Sequence, residues 1–266
     1  MKKMLLKNIK LFGQLTLFEA NRYRVYPSEL LAVLARRIIE LSLYVSFWLI
    51  ISKYSEVVIS TKSIIGYYLI INGLTSFLFT QMGAGSDLIK QIRTGELNQV
   101  LIKPMPALLS PFSSRTGKNL INLIIGFVQV VMGIIIAGGL GDDRFYLLPI
   151  LLFNAIVINV SFNIILGCLG FYFIEAGGIK NSFLHIINLC GGVLMPLFFM
   201  PIGVANALQI FTPFPAAQYQ LTIFLQGQYP LNGFFVVIGF FWALIMIFFA
   251  LKLWKFSLSK YEAVGA

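Results

Sequence analysis

A reacting centre in this chain would have to be assembled from few parts. His185 is the sole histidine, and it falls among Leu184, Ile186 and Ile187. No carboxylate or thiol set is spaced to join it, so neither a metal site nor a nucleophile–base pair is indicated. Hydrogen bonding within a helix bundle is the plainer role for that imidazole. Thr116-Gly117-Lys118-Asn119 has the outline of a phosphate-cradling loop, which needs two glycines for close backbone approach and a hydroxyl after the lysine. Phe112 stands where the first glycine is required and Asn119 where the hydroxyl is. The chain therefore carries no loop of its own for hydrolysing ATP. Cys168 and Cys190 lie inside apolar runs, which suits small buried residues and not a disulfide framework or a thiolate metal site.

The remaining polar groups concentrate in one interval. Gly83 to Asn119 separates two long apolar runs and sets Lys90, Arg93, Lys103, Arg115 and Lys118 against only Asp87 and Glu96. Leu88, Ile89, Ile92, Leu97, Val100 and Leu101 recur at three- and four-residue spacing, which predicts that part of this interval is a short helix with one apolar and one basic face. Gly95 should interrupt that helix, and Pro104, Pro106 and Pro111 should bar its continuation. Held beside a membrane, such a helix is a docking surface; an ordinary loop between spans is the other reading of the same composition. A second polar set is made of amides. Asn154, Asn159 and Asn163 share one apolar run, the last two a helical turn apart. They either mark a face toward a substrate path or hydrogen-bond between helices.

These groups need a membrane-embedded frame. Of 266 residues 58% are hydrophobic and 11% charged, more apolar surface than a water-soluble core can absorb. Stretches long enough to cross about 30 Å of hydrocarbon as helix fall at 29–51, 64–81, 120–138, 147–174, 182–200 and 231–254. The predicted fold is all-α, a single transmembrane domain over 1–266 with six spans. Arg36 and Glu40 in the first span are four apart and should pair. Lys7 and Lys10 break the N-terminal apolar run and no small-residue cleavage site follows, so 1–28 reads as an interfacial amphipathic helix and not a signal peptide. Leu5, Leu6, Ile9, Phe12 and Leu15 should face lipid, with Lys3, Lys7 and Lys10 toward headgroups. Segment 201–230 is uncharged and holds Pro201, Pro213, Pro215 and Pro230 around apolar stretches too short to cross. It is predicted to form outer re-entrant or interfacial helices, with a loop on the outer leaflet as the alternative.

A net charge of +10 would suggest nucleic acid in a soluble domain. Here the basic residues sit at the ends of apolar runs, where lipid headgroups lie, so no nucleic-acid partner is expected. Under strict alternation 17 of the 20 Lys and Arg fall on one side and only Lys53, Lys62 and Arg144 on the other. The positive-inside rule then places both termini and the 83–119 loop in the cytosol. The second, third, fifth and sixth spans hold no Asp or Glu, which weakens an ion-coupled carrier, since a coupling ion needs a counter-charge at membrane depth.

IRTGELNQVLIKP at Ile92–Pro104 is similar to the Ile-x-x-Gly-x-Leu-x-x-x-Leu-Leu-x-Pro pattern of one bacterial branch of the type-2 permeases of ATP-binding-cassette exporters. Ile92, Gly95, Leu97, Leu101 and Pro104 carry it, with Ile102 in place of the second leucine. The order of features along the chain resembles that family too. The resemblance implies a non-catalytic membrane subunit in a bacterial cytoplasmic membrane, paired with a second copy or a related permease, above separate nucleotide-binding ATPase subunits that hold the ATP and Mg. It places the ATPase-coupling helix at Asp87 to Val100, with Asp87, Lys90, Arg93, Gly95, Glu96, Leu97 and Val100 as coupling residues. No cofactor or metal is expected on this chain. An ion-coupled carrier or channel without an ATPase partner is the alternative.

Overall fold

The computed structural model describes residues 2–20, 27–54, 60–79, 82–103, 106–139, 145–173, 175–227 and 231–261. Gln81, Pro104, Arg144, Ile174 and Pro230, and the side chains of Lys3, Leu5, Leu6, Lys7 and Lys53, lie outside that description. Among the described residues there is no strand. The helices are α1 (Lys2–Ala20), α2 (Pro27–Tyr54), α3 (Thr61–Phe79), α4 (Met82–Arg93), α5 (Glu96–Leu101), α6 (Leu109–Lys118), α7 (Leu120–Ala137), α8 (Leu148–Cys168), α9 (Ala176–Cys190), α10 (Ile202–Phe211), α11 (Phe214–Ala217), α12 (Tyr219–Gln226) and α13 (Gly233–Ser259). Among the described residues three stretches are long and apolar enough to cross a bilayer: α7, α8 with its short 3-10 flanks (Phe145–Phe171), and α13. The chain is a multi-pass membrane protein.

Helices α3 and α7 pack backbone to backbone at glycines. A Cβ on Gly73 would stand 2.5 Å from the Gly126 carbonyl oxygen, and one on Gly126 would stand 2.7 Å from that of Gly73. Gly133 and Gly66 meet in the same way two turns along. Small residues at such a crossing let backbones touch where no hydrophobic drive between helices exists. Gly126→Leu should wedge the pair apart at a cost of about 1–3 kcal/mol. Tryptophan-fluorescence melting of the purified protein would read that loss; an unchanged melting point would mean the contact contributes nothing.

Residues 182–200, expected as one continuous span, do not form one helix. Helix α9 starts earlier, at Ala176, and stops at Cys190 after 15 residues, about 22 Å of rise. Gly192 then takes φ +84, where a Cβ would also press on the Tyr67 hydroxyl. The freed carbonyls find partners: the buried Tyr67 Oη donates to Gly192 O at 2.8 Å, and Trp48 Nε1 donates to Leu194 O at 3.1 Å. Helix α12 is likewise enclosed by protein over Gln220–Gln226, and Gln226 Nε2 donates to Ser63 O at 3.0 Å. Irregular backbone inside a membrane fold persists where protein satisfies it in this manner. Helix α10, by contrast, buries none of its residues.

Packing bears on two further expectations. Glu40 pairs with Arg37 (3.5 Å), one turn back at i−3, and not with Arg36. Phe12 of α1, expected to face lipid, borders a cavity that it shares with Leu108, Leu109 and Phe112. Small Gly117 and Ser113 on α6 allow α1 to come close, with Thr16 Oγ1 donating to Ser113 O (3.3 Å) and Ser114 Oγ to Glu19 Oε1 (3.0 Å).

Candidate functional site

The 82–103 segment folds as an elbow. Gly95 at φ +73 supplies the left-handed residue that ends α4 and opens α5, and Asn98 N donates to Gly95 O at 3.1 Å. Lys90 and Arg93 occupy the last turn of α4, and Glu96 the first turn of α5, each where its charge opposes the local helix dipole. The amphipathic helix does stop at Leu101, short of Pro106 and Pro111; Pro111 sits in the first turn of a new helix, α6, where its missing N–H has no intrahelical partner to lose.

One face of the elbow is welded to the bundle. Leu88, Ile92 and Leu97 bury against Ile164 and Cys168 of α8 and Ala250 and Trp254 of α13. Leu97 is 0% exposed and Val100 6%. Gly85 N donates to the Asn163 side-chain oxygen at 3.2 Å, and a Cβ on Gly170 would stand 3.1 Å from the Ile89 Cα. The other face presents Lys90, Arg93, Thr94, Glu96 and Gln99 to the outside. The sequence-predicted residues thus divide: Lys90, Arg93 and Glu96 are open to a partner, while Leu97 and Val100 anchor the elbow from beneath and Gly95 shapes its turn.

Asp87 belongs to neither face. It is half-buried, and its Oδ2 is shut from solvent without a hydrogen-bond partner. Burial pushes its carboxyl above the ordinary carboxylate range; Lys118, Arg115 and Lys90 oppose that rise, and Glu19 adds to it. The folded state therefore holds this proton more tightly than the unfolded chain does. Stability is greatest below the ordinary carboxylate value and is lost as pH climbs through the raised one. Asp87→Asn should flatten the part of the melting-point profile that falls as pH rises above the ordinary carboxylate range; an unchanged slope would remove Asp87 as its source.

The three asparagines serve helix contacts. Asn154 Nδ2 donates to Val236 O (3.2 Å), Asn159 Nδ2 to Ala155 O (2.7 Å) and Ala217 O (3.3 Å), and Asn163 Nδ2 to Asn159 O (2.9 Å). All are 0–2% exposed. Of the three, Asn159 also borders the cavity of about 550 Å³ beneath α1. A larger groove of about 1120 Å³ runs instead beside α2, lined by Arg36, Arg37, Glu40, Tyr44, Trp48 and Thr75 among others. Most of its wall is α2, closed by Thr75 of α3 and by Leu194, and spacing along α2 alone does not show that concavity. Among the described residues no group of three His, Cys, Asp or Glu side chains converges.

A family model described as "ABC-2 family transporter protein" matches residues 31–265. The chain belongs to that family. The resemblance read from Ile92–Pro104 is borne out at family level, and the ABC-2 membership makes the chain a membrane component of an ABC transporter. No curated protein matches it. Helix α1 lies outside the matched stretch, yet it packs on α6, which lies within it, next to the elbow.

Proposed function

We propose that the chain is the permease subunit of an ATP-driven exporter in a bacterial cytoplasmic membrane, working as a dimer above separate ATPase subunits. The elbow is its docking surface. The observation that carries this reading is the division of the elbow into a polar outer face and an inner face locked onto α8 and α13. A motor subunit that grips Lys90, Arg93 and Glu96 moves two long helices with them. Such coupling needs the elbow to bind the ATP-loaded and ATP-free motor with different affinity, since only differential binding shifts an equilibrium.

Six membrane segments fit this reading: α2, α3, α7, α8, the broken α9 stretch and α13. Both termini and the elbow are then cytosolic, and α10–α12 form the outer re-entrant segment. The exposed apolar face of α2, with Leu31, Ile38, Leu43, Phe47 and Ile50 each more than half exposed, suits a second permease subunit or lipid. The groove beside it is the candidate half-pathway. Reconstitution separates this from an ion-coupled carrier: liposomes with the permease and its ATPase should move cargo only with ATP. Transport by the permease alone down an ion gradient would overturn the proposal.

A further inference from the structure

Behind the elbow a smaller, polar pocket of about 270 Å³ opens where α4, α6 and α9 meet. Its walls are Gly83 and Ser86 of α4, Arg115 of α6, Lys180 and Asn188 of α9, and Thr75 of α3. Two cations converge there and no carboxylate lines it. Lys180 Nζ donates to Ser86 Oγ. Arg115 lies across the start of α4 so closely that a Cβ on Gly83 would collide with its guanidinium. The Arg115 Nε is nonetheless buried without a hydrogen-bond partner, as is the Asn188 side-chain oxygen. Arg115 and Lys180 repel each other across this space, and the nearby acid, Asp87, only partly offsets that at Lys180.

A buried guanidinium nitrogen without an acceptor is costly, and a forked Arg beside a Lys and a hydroxyl matches a tetrahedral oxyanion. We propose that this pocket binds a phosphate-class oxyanion, supplied either by an anionic phospholipid headgroup or as free phosphate. The bound anion bridges Arg115 and Lys180 and thereby ties α6 to α9 behind the elbow. Its occupancy sets how firmly the elbow is held against the fifth membrane segment, independently of which cargo is moved or whether an ATPase docks.

Full-length protein in nanodiscs of phosphatidylcholine alone, or of phosphatidylcholine with phosphatidylglycerol, provides the test, read by thermal melting. A rise in melting point with phosphatidylglycerol, titrated to an apparent affinity that falls about tenfold in Arg115→Gln and Lys180→Gln, assigns the site to lipid. A rise in neutral nanodiscs with inorganic phosphate over chloride at equal ionic strength, lost in the same variants, assigns it to free anion. Arg115→Lys should retain part of the effect, and Lys103→Gln, an exposed control on the elbow, all of it. If Arg115→Gln does not fold, Lys180→Gln carries the comparison. No shift with either probe, or an equal shift in wild type and the folded variants, overturns the proposal.

Discussion

Replacing Leu97 with aspartate is expected to release the elbow from the bundle. The leucine is fully enclosed by the cluster that joins Leu88 and Ile92 to α8 and α13. Removing its side chain from that cluster forfeits about 1.5–3 kcal/mol. An unpaired carboxylate forced into the same space raises the total to roughly 4 kcal/mol or more. The elbow can escape that cost by swinging away from α8, so hydrogen exchange over 88–101 should accelerate strongly while α3 and α7 keep their protection. Permease-stimulated ATPase activity should fall with it, and Leu97→Met should restore both. Wild-type protection in Leu97→Asp would show that the elbow is held by something other than this cluster.

Reversing the exposed pair, Arg93→Glu with Glu96→Lys, should do the opposite: leave the fold intact and remove the response to the motor. Both side chains project from the elbow's open face, so the melting point should match wild type. If these charges face complementary groups on an ATPase subunit, reversal turns attraction into repulsion and should lower transport-linked hydrolysis about tenfold. A restoring double reversal on the motor would locate the contact. Wild-type coupling in the permease variant would take Arg93 and Glu96 out of the interface.

The two variants together show what the residue order could and could not reveal. Apolar run lengths marked the long helices, and the spacing of Leu88, Ile92, Leu97 and Val100 marked an amphipathic elbow broken at Gly95. That spacing identifies an apolar face but not what covers it. Spacing therefore left open what Leu97 touches, and the fold turns it inward onto Ile164 and Cys168. Arg37 and Arg36 are neighbours in sequence and both within reach of Glu40; the packing of α2 decides for Arg37. The end of α9 at Cys190 was hidden because residues 182–200 are apolar enough for a span, and the Tyr67 and Trp48 donors that help make the break tolerable lie 125 and 146 residues away. The pocket at Arg115 and Lys180 was invisible for the same reason: its walls come from four helices. Hydropathy reports what a segment can bury, and long-range partners decide where it bends.

Site-specific photo-crosslinking in membranes that contain the nucleotide-binding subunit tests the docking claim most directly. A crosslinker placed at Arg93 or Glu96 should capture the ATPase subunit, in a yield that changes between ATP and ADP. The same group at Lys62, exposed at the far end of α3 beside the Ser63–Gln226 contact, should not. No ATPase adduct from 93 or 96, or equal capture from 62, would contradict the elbow as the place where the motor engages.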